Sequence, residues 1–126
     1  MAAAAFLLEP SPAPSTLTAA NNQNVTNMFS HVVIFWTHPD KPNAAADLIA
    51  GAEKYLKPIP GVLSFHIGRM VGSHRPVVDQ SYQVALNLVF PDKKSQDDYQ
   101  VHPLHIEFVE KSFKPNCAKV VVYDFE

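Results

Sequence analysis

A tyrosine and two histidines lie close together in the last third of the chain, in the order Tyr99, His102, Pro103, His105. An imidazole titrates near neutral pH, so His105 could act as a general base or acid. Tyr99 ends a predicted helical segment just before the break at Pro103, which would let its hydroxyl turn toward the same cavity as His105. We therefore predict Tyr99 and His105 as candidate catalytic residues, with the phenol as oxyanion donor or proton relay.

Both histidines also have a purely structural interpretation. Proline is favoured at the first position of a helix, so His102 is predicted to lie at the helix start and to bond a free backbone N–H. His105 precedes Val109 by one helical turn, on a face directed toward the predicted sheet. A histidine on such a face can be a buried polar group that has found a partner. The sequence leaves the two interpretations of His105 open.

Neither a metal nor a cofactor is predicted. A metal site would have to use His31, His102 and His105. Only His102 and His105 have an i, i+3 spacing, and Pro103 lies between them. No carboxylate or cysteine is placed to complete a tetrahedral set of ligands. The chain has no glycine-rich dinucleotide motif, no P-loop and no GxSxG sequence. Cys117 is the single cysteine, and it is predicted to be a buried, unreactive thiol.

Composition excludes several classes of protein. A chain of 126 residues with 47% hydrophobic and 17% charged residues has the size and apolar content of one packed domain. Its net charge of −2 lacks the basic footprint of a nucleic-acid-binding protein. No apolar run approaches the roughly 18 residues that cross a bilayer. One cysteine fits a reducing compartment, so we expect a cytoplasmic protein that binds neither nucleic acid nor membrane.

The N-terminal segment differs from the rest of the chain. Glu9 is the only charged residue among the first 30, and residues 1–27 show no periodicity that would bury a face. We predict that residues 1–27 are a disordered or non-native extension, with Met28 as an alternative start and 28–126 as the domain. The apolar stretch 2–8 is at the short end for an export signal and follows no basic residue, so export is the less favoured alternative.

Hydrophobic patterns in residues 31–126 predict four strands and two helical regions. A strand is expected at His31–Thr37, followed by a helix over 44–57 with Asn43 as a possible cap. Two strands follow, at Val62–Gly68 and Tyr82–Phe90. The second helical region is opened by Pro91 and Asp92, interrupted at Pro103 and ended by Pro115, and the last strand is Lys119–Phe125. The order β-α-β-β-α-β predicts an α+β, ferredoxin-like fold with a four-stranded antiparallel sheet.

Three of these strands are apolar on both faces, over residues 32–36, 84–90 and 120–123. Two helices can cover only one face of a four-stranded sheet, and a sheet with one solvated face should alternate apolar and polar residues. A second copy of the same sheet would cover the other face, so we predict a homodimer formed through the sheet faces. The alternative is a monomer in which residues 1–27 cover that face.

The chain also resembles a known family, the stress-responsive A/B barrel (Dabb) domain of dimeric α+β barrel proteins. The resemblance extends over residues 31–126, and the HPxH sequence at 102–105 is its most specific part. The matching stretches are residues 31–35, 59–65, 68–69, 81–86, 99–109 and 121–125. It implies a dimeric α/β barrel built from two sheets.

The resemblance also implies a function. A plant polyketide cyclase of this family uses a Tyr–His pair that matches Tyr99 and His105, and its first-strand histidine, near the pocket, matches His31. A further pocket histidine of the cyclase falls at Val84 here, so the polar lining differs. We expect a dimeric protein that binds a small apolar or aromatic ligand in an interior pocket, with a cofactor-independent, polyketide-cyclase-like enzyme as the alternative. The predicted ligand-binding residues are His31, Val33, Phe35, Leu86, Phe108 and Val122.

Overall fold

The computed structural model describes residues 28–126, and the predictions for residues 1–27 lie outside the described residues. The elements are β1 (Phe29–Thr37), α1 (Ala44–Gly51), a π-helical continuation (Ala52–Leu56), β2 (Ser64–Arg69), β3 (Val84–Phe90), α2 (Lys93–Gln100), α3 (Pro103–Phe108), a second π-helical segment (Val109–Phe113), the single turn α4 (Lys114–Asn116) and β4 (Cys117–Phe125). The strands form one antiparallel sheet in the order β2-β3-β1-β4. The predicted ferredoxin-like fold is confirmed.

Several predicted boundaries were wrong. β2 and β3 each begin two residues later than expected, at Ser64 and Val84, whereas β1 and β4 begin two residues earlier, at Phe29 and Cys117. The helical region extends one residue beyond Pro115, to Asn116, and does not end at the proline itself.

The two faces of the sheet have different surroundings. On β1, Val33 and Phe35 are buried against the helices, while Val32 and Ile34 on the opposite face are only half-buried. The strand register places Val32 beside Tyr123 of β4, which is 60% exposed. Within residues 28–126, no helix lies on this second face, as the sequence predicted, and its apolar side chains remain partly open to solvent.

The helices pack closely on the first face. The first helical region comprises residues 44–56 and the second comprises the helical segments within 93–116. Leu48, Ala52 and Leu56 of the first helical region are buried in the core beneath the sheet. A Cβ atom on Gly51 would lie only 1.9 Å from Oγ of Ser112, so a glycine is required where the first helical region contacts the second. Both regions adopt π-helical geometry beside this contact, over residues 52–56 and 109–113.

Candidate functional site

A cavity of about 460 Å³ lies between the sheet and the second helical region. All eight residues predicted as catalytic or ligand-binding line it, which brings together side chains from β1, β3, β4, α2 and α3. They are His31, Val33, Phe35, Leu86, Tyr99, His105, Phe108 and Val122. The cavity opens beside β4, where Val120 and Val122 are still 38% and 46% exposed.

The cavity has an apolar part and a polar end. Its apolar lining combines strand residues with one residue of the first helical region and three of the second; these residues are Val33, Phe35, Leu56, Leu86, Phe108, Val109, Phe113, Val120 and Val122. The polar end contains His31, Tyr99 and His105 together with side chains that sequence reasoning missed: Lys93, Gln96, Asp97, Gln100 and Asp124.

Tyr99 occupies the centre of the polar end. Its ring is almost fully buried, with centroid distances of 5.8 Å to His31, 4.9 Å to His105 and 5.1 Å to Phe90. Burial raises the pKa of the Tyr99 phenol well above its ordinary value, because the phenolate would lack solvation. The hydroxyl therefore stays protonated at physiological pH. Tyr99 lines the cavity, so its hydroxyl can donate a hydrogen bond to a ligand.

His105 lies in the first turns of α3. Burial, with a smaller contribution from the nearby His31, lowers the pKa of His105 from 6.5 to about 4. The ring is therefore neutral at pH 7 and keeps a lone pair on one nitrogen. Its Nε2 atom is 3.4 Å from Nε2 of Gln100. Chemically, the site pairs a protonated phenol with a neutral imidazole, which is a donor beside an acceptor.

His31 is held by a carboxylate of β4. The antiparallel register places it opposite Asp124, and its Nδ1 atom lies 2.6 Å from Oδ1 of that carboxylate. Gln96 of α2 approaches the same nitrogen at 3.5 Å. The sequence gives no local signal for Asp124, because its position beside His31 depends on the β1–β4 register, whereas the i, i+4 spacing of Gln96 and Gln100 does place both on one face of α2.

His102 does not line this cavity, and its structural interpretation is confirmed. It is the N-cap of α3, and its Nδ1 atom accepts a hydrogen bond of 3.0 Å from the backbone N–H of Leu104. Pro103 takes the first helical position, as predicted. Asp92 caps α2 in the same way by accepting from the N–H of Ser95, whereas Asn43 precedes α1 without a side-chain cap bond.

Cys117 lies outside the cavity lining. Cys117 is buried as predicted, and burial raises the pKa of its thiol to about 11, so it is protonated at neutral pH. Within residues 28–126, no group of three or more histidine, cysteine or acidic side chains is arranged to hold a metal ion. The helices of the same part of the chain are all too short or too polar to cross a membrane.

An antiparallel sheet in the order β2-β3-β1-β4, with helices and a polar-ended cavity on one face, defines the ferredoxin-like class of α+β proteins. The family model of the stress-responsive A/B barrel domain (Dabb) matches residues 29–126. The chain therefore belongs to the stress-responsive A/B barrel family, which confirms the resemblance seen in the sequence.

Several known proteins are similar to this chain. A stress-response A/B barrel domain-containing protein of Arabidopsis thaliana is 29% identical over 100 residues, which cover 79% of this chain and 86% of that protein. A dimeric ferredoxin-like protein from Thermobifida fusca has a TM-score of 0.65 at 20% identity, covering 78% of this chain and 89% of the other. Hydroxynitrile lyase from Passiflora edulis has a TM-score of 0.67 at 18% identity, covering 79% and 92%. The two structures share the fold.

Proposed function

We propose that this protein binds a small molecule with an apolar or aromatic body in the cavity between the sheet and the second helical region. The cavity of about 460 Å³ carries this proposal, because ligand sites are typically apolar pockets of several hundred Å³ with a few convergent polar groups. An apolar body would lie against Val33, Phe35 and Leu86, and a polar head would reach Tyr99 and His105.

The charges at the polar end favour a neutral head group. Lys93 is paired with Asp97 at 2.9 Å, and His31 is paired with Asp124 at 2.6 Å. His105 is uncharged at pH 7 because its pKa lies at about 4. A carboxylate head would meet two aspartates and no unpaired cation among the described lining residues. A phenol, enol or ketone could exchange hydrogen bonds with the tyrosine and the imidazole.

Matched ligands and matched variants test this proposal. We expect an alkylphenol to bind at least tenfold more tightly than the alkylbenzoate with the same tail, measured by titration calorimetry at pH 7.5. Val33→Phe fills the apolar part of the cavity and should abolish binding while preserving cooperative unfolding. Val77→Phe, at a position 79% exposed in a loop, is the control and should bind as the wild type does. Equal binding by the wild type and Val33→Phe would refute the proposed site.

We also propose a homodimer formed through the sheet faces. The half-buried Val32 and Ile34 and the exposed Tyr123 and Phe125 leave a broad apolar area on the helix-free face. Large exposed apolar patches are uncommon on monomers and are typical of interfaces. The similar Thermobifida fusca protein is described as dimeric, which supports the same arrangement here.

A second candidate function is cofactor-independent proton transfer on a polyketide-like or aromatic substrate. The observation that favours it is the pairing of a protonated Tyr99 with a neutral His105, whose ring centroids are 4.9 Å apart. His105 would accept a proton from carbon next to a carbonyl group, and Tyr99 would donate a hydrogen bond to the developing enolate oxygen. The similar Passiflora edulis protein is an enzyme, a hydroxynitrile lyase, on the same fold.

A further inference from the structure

Gln96 and Gln100 occupy the space between the two histidines of the cavity. They are four residues apart on α2, so their side chains lie on one face of the helix. Gln96 is buried, its Nε2 atom is 3.5 Å from Nδ1 of His31, and the same atom donates to Oε1 of Gln100 at 2.8 Å. Gln100 then approaches His105 with its own Nε2 atom at 3.4 Å. The hydrogen bond from Gln96 to Gln100 and the contact of Gln100 with His105 therefore lie between the two histidines.

The direction of these contacts determines which nitrogen of His105 carries a proton. An amide nitrogen only donates hydrogen bonds and an amide oxygen only accepts them. Because Oε1 of Gln100 accepts from Gln96, the Gln100 amide is oriented with its nitrogen toward His105. A neutral imidazole has one donor and one acceptor nitrogen. For the 3.4 Å contact with Gln100 to be a hydrogen bond, Nε2 of His105 is the acceptor and the ring proton lies on Nδ1.

On the basis of the proposed function of this cavity, we propose that Gln96 and Gln100 are positioning residues that hold His105 in the tautomer with a lone pair on Nε2. This is the nitrogen that contacts Gln100, which lies at the polar end of the cavity. Its 3.4 Å contact with Gln100 is long for a hydrogen bond, so a ligand O–H or an acidic C–H can replace it. The glutamines would thus keep the basic nitrogen of His105 directed at the ligand.

The other groups around His105 do not compete for this role. His31 and Asp124 from β1 and β4 are paired with each other, and so are Lys93 and Asp97 on α2. The first helical region and the second π-helical segment contribute only apolar side chains to the cavity lining. Since the pKa of His105 lies at about 4, its two neutral tautomers are the relevant states near pH 7.

Nitrogen-15 NMR of the full chain, labelled in its histidines, tests the inference without any ligand. At pH 7.5 we expect the wild-type spectrum to show His105 protonated on Nδ1. His102 provides an internal reference with the opposite tautomer, because its Nδ1 atom accepts from the N–H of Leu104. Gln100→Leu removes the donor, so the population of the Nδ1–H tautomer of His105 should fall toward that of the Nε2–H tautomer. Gln96→Leu frees the Gln100 amide to rotate and should have a weaker effect in the same direction.

Gln100→Glu provides the inverse variant. A carboxylate of nearly the same shape can only accept, so it should move the proton of His105 to Nε2 and raise the pKa of that ring. His102 should keep its signals in all the variants. Gln100 is exposed, so its substitution should leave the fold intact, which the His102 signals also report.

Two results would overturn the inference: a wild-type His105 protonated on Nε2, or a His105 tautomer that is the same in the wild type, Gln100→Leu and Gln100→Glu. The outcome is separable from the ligand proposal. Tautomers that respond as expected in a protein that binds no alkylphenol would uphold the positioning role and refute the proposed function. If the protein binds the alkylphenol but the tautomer of His105 does not change in the variants, the proposed function is upheld and the positioning role is refuted.

Discussion

His31 and Asp124 face each other across β1 and β4, with Nδ1 of the imidazole 2.6 Å from Oδ1 of the carboxylate. The histidine side chain is 6% exposed and the aspartate side chain 42% exposed. A buried ring is thus held by a carboxylate that still contacts solvent. Because a carboxylate only accepts hydrogen bonds, Nδ1 of His31 is the donor and Nε2 is the free nitrogen of the ring.

Removing this carboxylate should destabilise the fold. We expect Asp124→Ala to lower the free energy of unfolding by about 1–3 kcal/mol, since it leaves a buried N–H without its acceptor. Asp124→Asn keeps an oxygen in place and should lose less than about 1 kcal/mol. Asp97→Ala is the control, because the exposed Lys93–Asp97 pair contributes little. Urea unfolding at pH 7 measures all three, and equal losses for Asp124→Ala and Asp97→Ala would contradict the role of Asp124.

The order and type of the elements could be predicted from the sequence because local signals mark them. Asp92 and Pro103 mark the starts of α2 and α3. The beginnings of β2 and β3 could not be predicted from the sequence. Val62 and Tyr82 fit a strand by composition, but they lie just before the hydrogen-bonded ladder. Strand propensity depends on the type of each residue, whereas the first residue of a ladder depends on where the partner strand pairs with it.

The apolar lining of the site was predicted more completely than the polar end. Val33 and Phe35 of β1 and Leu86 of β3 were predicted as lining residues, and each lies at a buried position of its strand. Asp124 could not be assigned without the β1–β4 register, which depends on tertiary pairing. Gln96 was overlooked because a glutamine on a polar helix is usually exposed, and its burial depends on how α2 packs against β1.

Substitutions of Tyr99 and His105 distinguish a catalytic role of these residues from a structural one. Tyr99→Phe keeps the buried ring and its contacts with His31, Phe90 and His105, so the melting temperature should change by less than about 2 °C, on the order of a few tenths of a kcal/mol. If the pair catalyses proton transfer, Tyr99→Phe and His105→Gln should slow deuterium exchange next to the carbonyl of an alkyl-substituted acetophenone by about 10²–10⁴-fold.

Proton NMR of the ketone in deuterated buffer follows this exchange. Tyr55→Phe is the matched control, because Tyr55 packs against the core without lining the cavity. It should exchange at the wild-type rate. Wild-type protein that exchanges no faster than buffer would eliminate proton transfer on this probe. Variants that lose stability yet retain exchange and binding would show that the two residues only stabilise the core.

Dimerisation should depend on the helix-free face of the sheet. Tyr123 is exposed on that face, so Tyr123→Asp should leave the fold of each copy intact while raising the dimer dissociation constant at least 100-fold, through burial of an unpaired charge. Sedimentation velocity at micromolar concentration measures the change. Val77→Asp places the same charge in an exposed loop and should remain dimeric. A well-folded monomeric wild type would remove the basis of the dimer proposal.

Residues 28–126 should fold without the N-terminal segment. The described part of the chain contains a four-stranded sheet and a buried core, and we expect residues 1–27 to add little to it because their sequence has little patterned apolar content. Deleting residues 1–27 should therefore leave the melting temperature nearly unchanged. A decrease of more than about 5 °C, on the order of 1 kcal/mol for a domain of this size, would show that the segment packs against the domain.

The lowered pKa of His105 should make stability depend on pH in acid. In the unfolded chain this ring takes up a proton near pH 6.5, whereas in the folded protein it does so only near pH 4. Between these values the unfolded state binds more protons, so the free energy of unfolding must fall as the pH decreases from 6.5 to 4 and level off below. We expect His105 to account for about 1–2 kcal/mol of this fall, because solvent screens part of the ring.

His105→Gln should remove that share of the pH dependence when urea unfolding is measured at pH 7.5 and 4.5. His74→Gln, in an exposed loop, is the control and should retain it. Identical slopes for the wild type and His105→Gln would show that the ring is not held neutral by the fold.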